Sequence, residues 1–280
     1  MRTQSQNLGQ RSYRPLSLRV RANERAKELR ADGLSYSKIV ETLQREIGFK
    51  ASKGQLSDWL RGIHSPLGSA NHFSPNPVPE LAYVIGVELG DGSLNRKGYN
   101  RRIRLSAIDL EFVMEFDRCL AAVLETRRHK PWFDKKRGDF SIEARSVLLY
   151  EFLKRDWRAL KPWIQHCSDC VAAFVRGFFD SEDSISKKGQ LRCYNTDRPL
   201  LRYVKHLMTS FLQIQVTGPY RGVRAGSIIN HRGRTYVRKS DCYSIHVRAA
   251  SLNDFYQRVE ITITRKRIRV ERKLGLVRGG

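Results

Sequence analysis

Two carboxylates stand at matching positions in two similar stretches of the sequence, residues 84–94 and 175–185. Each stretch is mostly apolar, and an acidic residue, Asp91 or Glu182, directly follows two small residues that are spaced four apart. One offset of 91 residues relates the two copies, since 182 − 91 = 91. Paired acids in a chain of formal charge +24 suggest divalent-metal chemistry on phosphate, because hard oxygen ligands and phosphate both bind Mg²⁺.

The small residues indicate how the two acids would be brought together. Gly86 and Gly90 in the first copy correspond to Gly177 and Ser181 in the second. Residues four apart share one face of a helix, and small side chains there let two backbones approach closely. The two stretches therefore predict a pair of helices packed side by side, with the acids at their C-terminal ends.

The overall charge points to a polyanionic partner. In 280 residues, 52 lysines and arginines stand against 28 aspartates and glutamates, and 40% of the residues are hydrophobic. Nucleic acid is the first candidate and an anionic membrane surface the second. There is no long apolar run and no leader-like N-terminus, so we expect no membrane contact and a cytoplasmic location, associated with the nucleoid in a prokaryote.

The five cysteines do not predict a disulfide framework, because their number is odd and most are isolated. Cys167 and Cys170 form the one C-x-x-C pair, and His166 lies beside it. A structural zinc site would ordinarily need a second pair of ligands. Partly buried free thiols are therefore the expectation.

Residues 1–64 predict a small all-α domain. Apolar residues at helical spacing indicate one helix over 18–30, a second that begins after Ser35 and a third after Ser52. These helices resemble the helix-turn-helix domains of resolvases and transposases, which implies that the third helix enters the major groove of DNA. Its predicted outward residues are Lys53, Gln55, Ser57 and Arg61. A helical bundle that contacts only proteins is the alternative.

Residues 65–80 predict a linker, because four of the nine prolines fall there. The rest divides into two units, 81–165 and 166–280. Each unit reads helix, strand pair, helix, strand pair, helix from its periodicity, and residues 218–241 add a longer hairpin to the second. The chain thus predicts an α+β fold with an internal duplication.

The duplicated acidic stretches and the αββαββα order resemble the single-chain LAGLIDADG homing endonucleases. The resemblance implies a monomer in which a pseudo-two-fold axis relates two saddle-shaped antiparallel sheets that lie along double-stranded DNA. Strand alternation then suggests a set of arginines on the DNA face. These candidates are Arg102, Arg104, Arg192, Arg238 and Arg248.

The same resemblance implies the roles of the site residues. In the family, the acid that ends each copy binds metal and serves one scissile phosphate, so Asp91 and Glu182 are the predicted metal ligands, with Mg²⁺ or Mn²⁺ as the cofactor. A polar residue at the end of the first strand of each repeat falls on Ser106 and Asn195, and a family lysine falls on Lys266. Asn195 and Lys266 complete the predicted catalytic set.

Two positions depart from the family pattern. Leu89 replaces an acid in the first copy, and Asp183 stands where the first copy has Gly92. We expect Asp183 to take the left-handed backbone that ends the helix and to add a third carboxylate beside Glu182. Such a charge would weaken metal placement and slow one of the two cuts.

The sequence therefore predicts a site-specific, divalent-metal-dependent endonuclease that cleaves both strands of a long DNA site. A catalytically weak or inactive DNA-binding regulator of the same fold is one alternative, and an RNA intron maturase is another. Sporulation-type regulators of this fold generally carry the helix-turn-helix after the repeats and lack the acids. Here the helices come first and both acids are present, which favours the enzyme.

Overall fold

The computed structural model describes residues 14–66, 73–97, 100–186, 189–231 and 234–277. The chain separates into two compact units, residues 1–71 and 72–280. Part of the predicted linker, residues 67–72, lies outside the described ranges. Within those ranges, no helix is long and apolar enough to cross a membrane.

The N-terminal unit is a bundle of three helices, as the periodicity predicts. They are α1 (Leu16–Ala31), α2 (Tyr36–Ile47) and α3 (Lys53–Leu60). Ser35 and Ser52 begin α2 and α3, because each side-chain oxygen accepts a backbone N–H of the first turn. Gly48 ends α2 in the left-handed conformation. The core of the bundle includes Ala26, Leu43, Leu56 and Trp59.

The C-terminal unit contains two repeats in the predicted αββαββα order. The first consists of α4 (Pro79–Glu88), β1 (Ser93–Lys97), β2 (Asn100–Ala107), α5 (Leu110–Leu124), β3 (Trp132–Asp134), β4 (Asp139–Arg145) and α6 (Val147–Leu153). A 3₁₀ turn (Trp157–Leu160) and the short helix α7 (Lys161–Ile164) connect it to the second.

The second repeat is longer because it carries an additional hairpin and a C-terminal helix. Its elements are α8 (Ser168–Glu182), β5 (Asp183–Ile185), β6 (Leu191–Asn195), α9 (Arg198–Ser210), β7 (Val216–Val223), the hairpin strands β8 (Ile228–His231) and β9 (Arg234–Val237), β10 (Cys242–Val247), a 3₁₀ turn (Ala249–Ser251), α10 (Leu252–Arg258) and α11 (Thr264–Leu274). The predicted α+β fold class, with its internal duplication, is confirmed.

Each repeat forms one four-stranded antiparallel sheet with equivalent topology. The strand orders are β1-β2-β4-β3 and β5-β6-β10-β7. In β2, Ile103 and Leu105 are buried, whereas Arg102 and Arg104 are only partly covered. Each sheet therefore has a core face that packs against helices and a polar face that points away from the core.

The predicted linker extends to residue 80, but α4 already begins at Pro79. Proline suits the first position of a helix, because no partner for its missing N–H is needed there. Phe73 packs against Phe152, with ring centroids 5.3 Å apart, and the Trp163 indole donates to the Pro75 carbonyl. The segment from residue 73 onward therefore belongs to the C-terminal unit.

Candidate active site

Helices α4 and α8 cross at glycines, as the spacing of small residues predicts. A Cβ atom on Gly86 would lie 2.3 Å from the Phe174 carbonyl oxygen, and one on Gly177 would lie 2.4 Å from the Tyr83 carbonyl oxygen. These distances exclude any larger side chain unless a backbone moves. The contact fixes the two helices against each other and brings their C-terminal ends together.

Asp91 lies in the turn that follows α4. The Gly92 N–H donates to the Val87 carbonyl at 2.9 Å, which closes this turn around the acid. A Cβ on Gly92 would lie 2.6 Å from the Cα of Glu88, so this glycine is required for a close approach and not for a left-handed backbone. Asp91 remains exposed to solvent at the base of the helix pair.

A buried lysine from the far end of the chain acts on Asp91. Loss of surrounding water raises the pKa of the Asp91 carboxyl, and the charge of Lys266 opposes this rise. Lys266 belongs to α11, is only 6% exposed, and donates through Nζ to the Asp180 carbonyl oxygen at 3.1 Å. Lys266 thereby places a positive charge beside the first acid.

Glu182, the last residue of α8, is held by an amide. Asn195 at the end of β6 donates through Nδ2 to Glu182 Oε1 at 2.9 Å, and its own Oδ1 accepts the Asp197 N–H at 2.8 Å. Burial and then the charge of Asp91 raise the pKa of Glu182 to about 7, against the lowering effect of the Asn195 hydrogen bond. The structure thus brings the predicted Glu182 and Asn195 into contact.

The predicted counterpart of Asn195 in the first repeat is wrong. In the second sheet Tyr194 pairs with Ser244, and in the first sheet Ser106 pairs with Ser141 at the equivalent place. Tyr194 therefore corresponds to Ser106, and the next residue, Asn195, corresponds to Ala107. Because side chains alternate along a strand, Ser106 lies on the polar face, where its hydroxyl and that of Ser141 are 2.7 Å apart. The Asp91 half of the site therefore has an alanine where the Glu182 half has an amide.

A cleft of about 550 Å³ opens beside Asp91. Ala107 and Lys266 line it as well, and Glu182 does not. The cleft also contains charged side chains from both repeats, namely Asp109, Arg137, Asp139, Arg265 and Arg269. Asp109 directly precedes α5, but its carboxylate makes no capping hydrogen bond and instead accepts two hydrogen bonds from Arg265, at 2.6 and 2.7 Å. The charge of Asp91 nevertheless acts on Glu182.

Asp183 does not take the predicted left-handed conformation. It opens strand β5 and pairs with Cys193, because the strand begins directly after α8. Its side chain lies outside the part of the chain that the structure describes. The predicted backbone role of Asp183 is therefore wrong.

Asp180, which stands 91 residues after Leu89, has a role that the spacing of the repeats does not predict. Its buried carboxylate accepts a hydrogen bond from the Tyr83 hydroxyl at 2.9 Å and one from the Thr262 backbone N–H at 3.2 Å. Asp180 thus ties α8 to α4 and to the segment that leads into α11. Its position directly after the apolar pair Phe178 and Phe179 was the available signal.

Glu88 is a second acid that the sequence analysis missed. Its Oε2 atom is buried and, among the described residues, makes no hydrogen bond. Burial raises the pKa of Glu88 to about 8. Phe179 occupies the matching position in the second copy, 91 residues later, and is buried. This position in the helix pair therefore suits an apolar or neutral side chain.

Three of the predicted DNA-contacting arginines lie on the polar faces of the sheets. Arg102 forms an ion pair with Glu143 at 3.3 Å, and Arg104 stacks over the ring of Trp132. Arg192 occupies the matching face of β6.

The other two predicted arginines are not on strands, which corrects the alternation argument for them. Arg238 follows the end of β9 at Val237, and Arg248 follows the end of β10 at Val247. Arg238 lies at the base of the additional hairpin, where its backbone pairs with Gly226. Strand alternation cannot assign a face to either side chain.

The predicted DNA-reading residues of the N-terminal unit lie on or next to α3. Leu56 and Trp59 of that helix are buried in the bundle. The remaining face carries residues that are exposed or partly exposed. They are Lys53, Gln55, Ser57 and, at the C-terminal cap, Arg61.

Comparison with known proteins connects these repeats to a family. The family model described as a LAGLIDADG-like domain matches residues 169–260. The chain is also 31% identical over 254 residues to the uncharacterized protein MJ0398 of Methanocaldococcus jannaschii, an alignment that covers 89% of this chain and 91% of that protein. The chain belongs to the LAGLIDADG family. Its α4 and α8 are the two LAGLIDADG helices.

More distant similarity extends to solved structures. The homing endonuclease I-DmoI in complex with DNA and Mn is 19% identical, with a TM-score of 0.47, and the match covers 66% of this chain and 98% of that one. The N-terminal LAGLIDADG domain of DUF199/WhiA is 14% identical, with a TM-score of 0.44, over 65% of this chain and 81% of that one.

The chemistry of the donors at the base of the LAGLIDADG helices fits a hard divalent cation. Asp91 and Glu182 offer carboxylate oxygens, which suit Mg²⁺ or Mn²⁺ better than a metal that prefers sulfur. The charge of Asp91 raises the pKa of Glu182, and a cation beside them would relieve this repulsion. The residues present therefore suit the ion that the family implies.

Proposed function

We propose that this protein is a divalent-metal-dependent DNA endonuclease that cuts both strands of a long, specific site. One observation carries the proposal. Asp91 and Glu182 both stand at the base of the paired LAGLIDADG helices, where the Asn195 amide orients Glu182 while burial and the charge of Asp91 raise the Glu182 pKa. An acid kept in a site that disfavours its charge is typical of a functional site.

In this proposal each acid serves one strand. Asp91 and Glu182 hold Mg²⁺ or Mn²⁺, which when bound polarises the scissile phosphate and activates water. Asn195 orients the Glu182 carboxylate, and Lys266 keeps Asp91 ionised. Because Lys266 is buried and donates to a backbone carbonyl, it acts through Asp91 and not by contact with DNA.

The remaining predictions complete the proposal. The helix-turn-helix domain (residues 1–64) places α3 in the major groove, and the chain before residue 73 joins this domain to the two repeats. The polar faces of the two sheets contact double-stranded DNA through Arg102, Arg104 and Arg192. A monomer suffices, because the internal duplication supplies both half-sites.

Selection of cleaved molecules from a randomised double-stranded DNA library tests the activity. We expect the wild-type protein with Mg²⁺ to yield products that share one long sequence, and the Asp91→Asn/Glu182→Gln double variant to yield none. Glu260→Gln is the matched control, because Glu260 is an acid of the repeat that contains Glu182 and 69% of its side chain is exposed. The control should cut as the wild type does.

A regulator that binds DNA without cutting is the second candidate. It is favoured by Ala107, which leaves Asp91 without the amide partner that Glu182 has. Specific binding of one selected sequence, with no cleavage in Mg²⁺ or Mn²⁺, would support this candidate and contradict the endonuclease. Splicing of an intron RNA only when the protein is present would support a maturase instead.

A further inference from the structure

Three potential metal ligands meet where the chain enters α8. His166 and Cys167 precede the helix and are exposed, and Cys170 is buried in its first turn. One ligand atom from each residue lies within 4.8 Å of the other two. Among the residues that the structure describes, no other three histidine, cysteine or acidic side chains approach one another this closely. The cluster lies at the opposite end of α8 from Glu182.

The donor atoms of this cluster differ in kind from those of the active site. Two sulfurs and one imidazole nitrogen are the ligands that zinc and related metals prefer, whereas Mg²⁺ prefers oxygen. A zinc ion that binds three side chains within bonding distance brings the ligand atoms to within about 4 Å of one another, given bonds of about 2.0 to 2.3 Å. The observed spacing needs only small side-chain adjustments to reach such an arrangement.

The backbone already holds the first cysteine in place. The Cys170 N–H donates to the Cys167 sulfur at 3.4 Å, so this sulfur lies over the first turn of α8. This contact, followed by one from His166, lowers the pKa of the Cys167 thiol, whereas burial raises the pKa of the Cys170 thiol. The first turn of a helix stabilises negative charge, and the thiolate is the form of cysteine that binds metal.

The other cysteines of the chain lack these features. Cys119, Cys193 and Cys242 are all buried. None of them belongs to a group of three potential ligands in the described ranges. They therefore serve as internal controls for any signal that arises from a thiol.

We propose that His166, Cys167 and Cys170 bind one zinc-class metal ion, with a fourth position open to solvent. The ion would join the segment after α7 to the first turn of α8. It would take no part in phosphate chemistry, because a helix of this length separates it from Glu182 by about 20 Å. The site is independent of the proposed nuclease activity, since its residues and its metal both differ.

Titration of the reduced, metal-free, full-length protein with Co²⁺ tests this site directly. We expect one equivalent to bind with a thiolate-to-cobalt charge-transfer band and the visible bands of tetrahedral cobalt, and Zn²⁺ to displace it. Carboxylates cannot produce the charge-transfer band, so Glu182→Gln should give the full signal. Zn²⁺ should also raise the Tm of the wild-type protein, because the ion binds the folded form.

Variants separate this cluster from the other thiols. Cys167→Ser should abolish the charge-transfer band, and His166→Asn should weaken Co²⁺ binding by at least tenfold. Cys242→Ser should leave the charge-transfer band and the affinity for Co²⁺ unchanged. Cys167 is exposed, so its variant should fold normally, and circular dichroism would verify this.

Two results would overturn the proposal. One is the absence of a charge-transfer band when all five thiols are reduced and titratable. The other is a band that persists at full strength in Cys167→Ser. A protein that lost two thiols to a Cys167–Cys170 disulfide in air, and bound no Co²⁺ after reduction, would show that the pair is a redox pair and not a metal site.

Discussion

The two halves of the candidate active site share one backbone plan but differ in electrostatics. Asp91 lies near the ammonium group of Lys266, and Ala107 is the strand residue that matches Asn195. Among the residues that the structure describes, Glu182 instead accepts a hydrogen bond from Asn195, and burial and the charge of Asp91 raise its pKa. Duplication therefore preserved helices, strands and pairing, while the side chains that control the charge of each acid diverged. We expect the two strands of DNA to be cut by halves with different requirements.

Removal of either acid should have the largest effect on the difference in rate between the two strand cuts. Asp91→Asn or Glu182→Gln should slow one strand by about 10³-fold or more, because the loss of a metal ligand costs several kcal/mol of transition-state stabilisation. DNA affinity should stay constant or rise, since the acids repel phosphate when metal is absent. Differently labelled strands and a parallel binding assay measure both quantities.

If both strands slow equally in either variant, the acids form one joint site and not two halves. If DNA binding is lost together with cleavage, the assignment of Asp91 and Glu182 as metal ligands is wrong. Glu260→Gln again provides the matched control.

Replacement of the buried lysine should have the next largest effect, confined to one half. Lys266→Met removes the charge that opposes the rise in the Asp91 pKa, so the Asp91 cut should slow by about 10- to 100-fold, and the Glu182 cut much less. Lys273→Met changes an exposed lysine of the same helix and should not alter the ratio of the two cuts. A thermal melt of Lys266→Met separates misfolding from an electrostatic effect, and Lys266→Arg should restore part of the rate.

The pH dependence should also differ between the halves. With a pKa of about 7, Glu182 is ionised above neutral pH and takes up a proton below it, so protons compete with metal there. The Glu182 cut should therefore decline as pH falls through about 7. Asn195→Ala removes a hydrogen bond that favours the charged form, so the pKa should rise and the decline should move about one unit towards higher pH.

The reciprocal substitution sharpens this test. Ala107→Asn gives Asp91 the amide that only Glu182 has, so the Asp91 cut should extend to lower pH by up to about one unit. Asn253→Ala, on the exposed surface of α10, is the neutral control. An unchanged pH profile in both Asn195→Ala and Ala107→Asn would mean that the amide does not control either acid.

Deletion of the N-terminal unit should have the smallest effect on the ratio of the two cuts. A protein that starts at residue 73 keeps the Phe73–Phe152 contact and should fold by itself, since the cores of the two units are separate. Affinity for DNA should fall by about tenfold or more, with a smaller salt slope, because phosphate contacts are lost. Equal affinity with and without residues 1–72 would contradict the proposed role of α3.

Local chemistry explains which parts of the fold could be predicted. Ser35 and Ser52 begin their helices through hydrogen bonds to residues three positions ahead, and the spacing of Gly86 and Gly90 encodes the contact with α8. Ser106 was misjudged because a shift of one residue moves a strand side chain to the opposite face. The pairing within the sheets establishes that Ala107 is the counterpart of Asn195.

Contacts between distant segments could not be predicted from spacing. The position of Lys266 beside Asp91 depends on how α11 packs, and the resemblance to a family, not periodicity, suggested this lysine. The Arg265–Asp109 pair joins residues 156 positions apart, and no local pattern in the sequence encodes it. Glu88 was missed because an acid within an apolar helix can equally well face solvent.

The polar faces of the two sheets also limit the symmetry of the DNA sequence that this chain could recognise. Arg104 and Arg192 stand at matching positions, but Glu143 in one sheet corresponds to His246 in the other, and Ser106 to Tyr194. A protein made of two identical subunits presents one set of side chains twice and so specifies a palindrome. This chain presents two different sets in one molecule, so the two halves of its DNA target should differ in sequence and the site should not be a palindrome.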